Sequence, residues 1–183
     1  MRYHDLSTPL SDEDIAKLRS GDRVRLSGVI YTARDAAHKR MVETIRAGRS
    51  LPFDPLGGVI YYVGPAPAKP GSIIGPAGPT TSSRMDPYTI PLLELGLKGM
   101  IGKGERSEEI KRAMRRFKAV YMTAVGGAAA LIAKHVISCQ IIAYHDLGTE
   151  AIRKLVVRDM PLFVVNDIYG GDLYEEGRKK WQR

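Results

Sequence analysis

Residues 88–122 read YTIPLLELGLKGMIGKGERSEEIKRAMRRFKAVYM. The apolar spacing predicts a helix at 90–95, a strand at 99–101, a helix at 107–117 and a strand at 119–122. The second helix carries Lys111, Arg112, Arg115, Arg116 and Lys118, which suits a solvated outer face. Helices and strands alternating at this pitch point to a layered α/β domain with some parallel sheet. Toward the C-terminus the alternation continues. A Gly126-Gly127 lead opens a helix at 128–135, and a strand at 136–144, a short helix at 149–154 and closing strands at 155–157 and 162–165 follow.

Toward the N-terminus the first forty residues read as helix, strand, helix. Ser11-Asp12-Glu13-Asp14 is a capping-box start, Ile15 and Leu18 form a helical stripe and Gly21 stops it. Val24 and Leu26 then alternate with Arg23, Arg25 and Ser27 as a half-buried strand, and Thr32 caps a helix with Ala37, Met41, Val42 and Ile45 on one face. Between these blocks, residues 52–79 hold 13 Gly and Pro in 28 positions, against 17 in the other 155. That stretch reads as an ordered, functional loop enclosing one strand at 58–63 (GVIYYV). One domain over 1–183 is expected, with a helical N-terminal extension at 1–20 and a basic tail at 173–183.

Composition narrows the function classes. With 44% hydrophobic and 26% charged residues the chain can bury a core. The longest uncharged run, 119–133, is 15 residues with two glycines, short of the roughly 20 apolar residues of a membrane span. No secretory h-region opens the chain, so a cytoplasmic location is expected. The net charge of +8 is spread from Arg2 to Arg183 and speaks against a nucleic-acid partner, while suiting a small anionic ligand. Cys139 is the single cysteine, which excludes an internal disulfide and any all-cysteine metal or cluster site built from this chain alone. It lies in an apolar run and reads as a packed thiol. The four histidines have no metal-ligand spacing.

Three segments could carry chemistry. In residues 75–86, GPAGPTTSSRMD, glycines let backbone N–H groups approach a ligand, hydroxyls donate hydrogen bonds and Arg84 offers a fork for a carboxylate; a turn capping the next helix is the structural alternative. Residues 32–38, TARDAAH, set Arg34, Asp35 and His38 at a helix start, where Asp35 and His38 read as an ordinary surface pair. Lys103, between Gly102 and Gly104 at a strand end, can reach an anion. Gly126-Gly127 lacks a phosphate-loop pattern and fits close helix packing.

Taken together, TARDAAHKR (32–40), LPFDPLGGVIYYVGP (51–65), GPTTSSRMD (78–86), GMIGKG (99–104), VGGAAALIA (125–133) and LGTEAI (147–152) resemble the beta subunit of class I fumarate hydratase, equivalent to the C-terminal domain of its single-chain relatives. The resemblance runs in order over residues 21–172, and L-tartrate dehydratase beta subunits share it. It implies a swivelling β/β/α layered domain with mixed sheets. It also implies a hydro-lyase that reversibly hydrates fumarate to L-malate with a [4Fe-4S] cluster. One cysteine cannot hold that cluster, so the cluster is expected on a partner alpha subunit, in an assembly of two alpha and two beta chains. By position, the resemblance makes Arg34, Thr81, Arg84 and Lys103 contacts for the dicarboxylate substrate and Thr80 the catalytic base, with no metal ligand in this chain. Glu150 matches a motif to which no role is attached. Ser82-Ser83 departs from the small pair, such as Ala-Gly, common there, and is expected to alter water placement. An L-tartrate dehydratase subunit is the alternative within the family, and an anion- or nucleic-acid-binding module the alternative outside it.

Overall fold

The computed structural model describes residues 1–124, 127 and 129–182. Its strands are β1 (Tyr3–Ser7), β2 (Arg23–Thr32), β3 (Val59–Tyr61), β4 (Gly99–Gly102), β5 (Val120–Thr123), β6 (Val136–Ala143) and β7 (Ile152–Asn166). Parallel pairing joins β1 to β2, β2 to β3, β3 to β4 and β4 to β5, whereas β7 runs antiparallel to β2, β5 and β6. Because β7 pairs with both β2 and β5, strands β2, β3, β4, β5 and β7 close into a ring, with β1 and β6 as outlying strands. This is the expected α/β domain with a mixed sheet.

Period-two alternation divides the core in two. Val59, Tyr61 and Val63 join one cluster with Val120, Met122, Leu162 and Val164; Ile60 and Tyr62 join the other with Met100, Tyr121 and Val165. The second cluster is covered by helices α2 (Asp35–Arg46), α3 (Asp86–Glu94) and α4 (Glu108–Phe117), through Met41, Leu92, Leu93, Ile110 and Met114. Both faces of β3 and β5 are therefore buried, which is why these strands read as unbroken apolar runs. On α4, Arg112, Arg115 and Arg116 are exposed, Lys111 pairs with Asp172 and Glu175 at 3.0 and 2.9 Å, and Lys118 pairs with Asp12 at 2.8 Å. The solvated face inferred for that helix is what the structure shows.

Four expectations are corrected. Residues 1–20 hold the helix read from the Ser11–Asp14 capping box, α1 (Asp12–Lys17), but they are not an extension: β1 precedes it as a parallel strand on β2, and Leu6, Leu10, Ile15 and Leu18 are all buried. In YHDLS only Leu6 turns inward, so no apolar period betrays the strand. Residues 149–154 form no helix; a turn of 3₁₀ helix at His145–Glu150 precedes β7. The two closing strands are one strand of 15 residues, whose pattern is broken at Asp159 (φ 50°), where an extra residue opposes Leu26–Gly28 of β2. The basic tail is helix α6 (Leu173–Trp181), capped by the Asp172 carboxylate and tied in through Tyr174, whose hydroxyl accepts from Gly104 N at 3.2 Å. Val125, Gly126, Ala128 and Arg183 lie outside the described residues, and with them half of the Gly126-Gly127 lead into α5 (Ala129–Ala133). No helix among the described residues is long and apolar enough to cross a membrane.

Candidate functional site: an arginine, hydroxyl and lysine cluster at one sheet edge

Parallel strands β2, β3 and β4 run in the same direction, so the segments that follow their carboxyl ends emerge at the same end of the ring. Arg34 follows β2 by two residues and Lys103 follows β4 directly. Residues 80–82 run beside that end of β4. Thr80 N donates to Tyr62 O at 2.7 Å, Lys103 N donates to Thr80 O at 3.1 Å and Ser82 N donates to Lys103 O at 2.8 Å, so Thr81 and Lys103 form an isolated parallel bridge. The chain then turns once as 3₁₀ helix (Ser82–Met85), which carries Arg84.

Glycines make this approach possible. A Cβ on Gly102 would lie 2.0 Å from Ser82 Oγ and 3.2 Å from Thr80 O. A Cβ on Gly64, past β3, would lie 3.1 Å from Arg34 Nη1 and 3.2 Å from Thr149 O. The Gly/Pro-rich segment folds back on itself, with Ala66 N donating to Pro76 O at 3.0 Å, and Tyr61 OH anchors it at Ala77 O at 2.5 Å.

Charge converges here. Arg84 donates through Nε to Asp35 Oδ1 at 2.7 Å, and its two terminal nitrogens have no partner among the described residues. Arg34 Nη2 stands 3.8 Å from Asp35 Oδ2 and 3.5 Å from Glu150 Oε1. Neither is a good hydrogen-bond distance. Arg34 Nε is buried and has no partner among the described residues, and the same holds for Asp35 Oδ2. A guanidinium with a buried unpaired donor costs free energy unless something accepts from it. Lys103 and Thr81 are exposed beside this cluster, and Thr80 is half-buried.

Thus Arg34, Arg84 and Asp35 are brought into contact, and Thr80, Thr81 and Lys103 share one ladder beside them. Ser82 is different from what its sequence context suggests. It is buried, and its Oγ donates to Tyr121 OH at 2.8 Å, which in turn donates to Gly104 O at 2.8 Å. Its hydroxyl fastens the segment that carries Thr80 to the Lys103 loop through Tyr121. Tyr121 and Tyr174, which grip Gly104 from opposite sides, carry no sequence signal beyond an aromatic in an apolar strand and in a basic tail. Arg106 was also inconspicuous; its fully buried side chain bonds Asp86 Oδ1 at 2.7 Å, Tyr62 OH at 3.1 Å and Thr89 Oγ1 at 2.8 Å beneath the site.

His38 does not form the surface pair with Asp35. It is fully buried, and its Nδ1–H donates to the Arg34 carbonyl at 2.9 Å, so Nε2 of the neutral ring is a bare acceptor with no partner among the described residues. The ring meets Tyr62 edge-on at 5.3 Å. Burial, reinforced by the Arg106 charge and opposed by the Arg34 carbonyl and Asp35, pushes the imidazole from 6.5 down to about 4. The unfolded chain therefore binds a proton near pH 6.5 that the folded chain refuses until about pH 4. Stability is expected to fall as pH drops through that window, by about 3 kcal/mol at its acid end. Urea unfolding of wild type and His38→Asn, whose amide can keep the bond to Arg34 O, checks this: the variant should lose the pH 6.5-to-4 slope, and parallel curves would remove His38 as the cause.

A cubane cluster needs several thiolates from protein, and these residues do not fit one. Cys139 is the only cysteine, it sits half-buried on β6, and burial raises its thiol above the usual range. No group of three His, Cys, Asp or Glu side chains is placed to hold a metal among the described residues.

Comparison with known proteins bears on what this cluster belongs to. The family model described as Fumarase C-terminus matches residues 2–177. The chain is 37% identical over 177 residues to the protein named "Putative L(+)-tartrate dehydratase subunit beta" of Methanocaldococcus jannaschii, covering 93% of this chain and 91% of that one. It is 36% identical over 177 residues to the anaerobic class I fumarate hydratase of Escherichia coli K12 and 35% identical over 177 residues to the mitochondrial fumarate hydratase 1 of Leishmania major, covering 94% of this chain in each case. The chain spans about a third of the length of these fumarate hydratases, 32% of each. A family match that takes in every strand, both threonines, the arginines and the lysine means that this chain belongs to the fumarase C-terminus family.

Proposed function

We propose that this chain is the carboxylate-clamping component of a hydro-lyase acting on a four-carbon dicarboxylate, with reversible hydration of fumarate to L-malate as the leading reaction. The observation that carries the reading is Arg34, a guanidinium whose buried Nε has no partner among the described residues, beside an Arg84 whose terminal nitrogens have none there either. A carboxylate is the acceptor such a pair lacks. Thr81 and Lys103, on the adjoining ladder, add a hydroxyl and an ammonium for the same anion. The cations also stabilise the aci-carboxylate that develops as the C3 proton of malate departs. Thr80 is the candidate base for that proton. A partner alpha subunit holds the [4Fe-4S] cluster, for which this chain has no site, and completes the reaction centre in a heteromer. The Methanocaldococcus relative, matched nearly end to end and named for tartrate, keeps L-tartrate dehydration as the second reading.

Rates for the chain assembled with its partner, measured anaerobically on fumarate, L-malate and both tartrates, decide the substrate. No turnover of any of them by an intact assembly would remove the reading. Within it, Arg84→Lys is expected to lower kcat/KM by about 10- to 150-fold, since a planar fork is replaced by a point charge and roughly 1.5 to 3 kcal/mol of charge-assisted bonding is lost. Unchanged kcat/KM would take Arg84 out of the clamp.

A further inference from the structure

Glu150 belongs to the LGTEAI segment, which the proposed reaction leaves without a task. Its carboxylate does two things at once. Oε2 accepts from Ala36 N at 2.9 Å, capping helix α2 where the N-cap residue, Arg34, supplies no side-chain cap. Oε1 faces Arg34 Nη2 at 3.5 Å. The carboxylate thus caps the helix that begins beside Arg34 and sets a negative charge 3.5 Å from one end of its guanidinium.

The turn presenting Glu150 is built to hold still. Arg153 Nη1 donates to Thr149 O at 2.9 Å and to Ala151 O at 3.1 Å, and its Nη2 donates to Gly148 O at 3.1 Å. Arg40 grips Asp146 with two bonds of 2.8 Å, tying the turn to α2. Gly64 lacks the Cβ that would press on both Arg34 and Thr149 O, so the turn and the arginine seat together. Rigid support of this kind is what holds a binding group within a fraction of an ångström of its working geometry.

We infer that Glu150 is a positioning residue that aims Arg34 at the substrate carboxylate, an assignment that rests on the clamp reading above. It acts on Arg34 from one side only, leaving the remaining guanidinium donors for the anion. Glu150→Gln separates the two tasks, because the amide oxygen can still accept from Ala36 N while the attraction for Arg34 is gone.

The test is steady-state kinetics of the assembled enzyme on L-malate, with wild type, Glu150→Gln, Arg34→Ala and the double variant, together with thermal unfolding of each. Glu150→Gln should raise KM about tenfold, within the range of coupling between contacting residues, with kcat changed less than about threefold and Tm kept. In the Arg34→Ala background the same change should raise KM no further, because its target is absent. A helix-capping role alone would leave KM of Glu150→Gln at the wild-type value, and simple removal of a negative charge near the anion would lower it; either result overturns the inference. So does an additive rise in the double variant. If Arg34→Ala itself leaves KM unchanged, the clamp reading fails and Glu150 loses its role with it, whereas a raised KM in Arg34→Ala beside a normal KM in Glu150→Gln refutes the positioning role alone.

Discussion

Purified by itself, the 183-residue chain is expected to turn over neither fumarate, L-malate nor tartrate and to show no iron-sulfur absorption, with activity arising only once the partner subunit is added. The chain supplies cations and hydroxyls, and these alone do not move a proton from carbon. Thr80, the proposed base, bonds here through its backbone atoms, its N donating to Tyr62 O and its O accepting from Lys103 N. No carboxylate or imidazole of the described residues is bonded to its hydroxyl. His38, the nearest imidazole in sequence terms, faces inward and is held neutral by burial. Asp35 and Glu150 are committed to Arg84, Arg34 and Ala36 N. A general base contributes about 10²- to 10⁴-fold, and a clamp lacking an activated base forgoes all of it along with the electrophile. Reproducible fumarate hydration by the chain alone, free of partner contamination, would show that the reaction centre is complete within it.

The same residues explain what could and could not be read before the fold was known. Runs such as VIYYV and AVYM announce buried strands because two cores flank them, and the helix at 107–117 shows its face through its charges. Lys103 is legible as a cation between glycines at a strand end, Arg84 as one that follows a run of four hydroxyls, and Arg34 as one at a helix start. What escaped were features set by partners distant in sequence. The strand at 3–7 has one inward side chain, and its pairing energy comes from β2. β7 contains Arg153, Lys154, Arg158 and Asp159 because it borders three strands and alternates between exposed and buried faces. Ser82 looked like a ligand-side hydroxyl, but its tie to Tyr121 spans 39 residues. Likewise, nothing local to Glu150 indicates that its carboxylate reaches the start of a helix 114 residues earlier.

Thr80→Val is expected to lower kcat on L-malate by about 10²- to 10⁴-fold, the usual loss for a positioned base, and to leave KM nearly unaltered. Valine keeps the β-branched shape, so the ladder to Tyr62 and Lys103 survives and only the hydroxyl goes. Thr81→Val should behave oppositely, raising KM, because its side chain is exposed on the bridge to Lys103 and in the proposed clamp it only positions substrate. An unperturbed threonine hydroxyl has a pKa far above neutrality, so Thr80 works only if cations lower it or a group from the partner takes its proton onward. On this chain Lys103 adjoins Thr80 through the backbone ladder and Arg84 follows four residues later, and in the proposed reaction the partner provides the proton's next stop. If proton removal becomes more rate-limiting, the primary deuterium isotope effect with C3-labelled malate grows in Thr80→Val. A near-normal kcat in Thr80→Val, with the partner's cluster intact, would place the base on the partner chain and leave this one as the anion clamp; a loss in KM alone would make Thr80 a second Thr81.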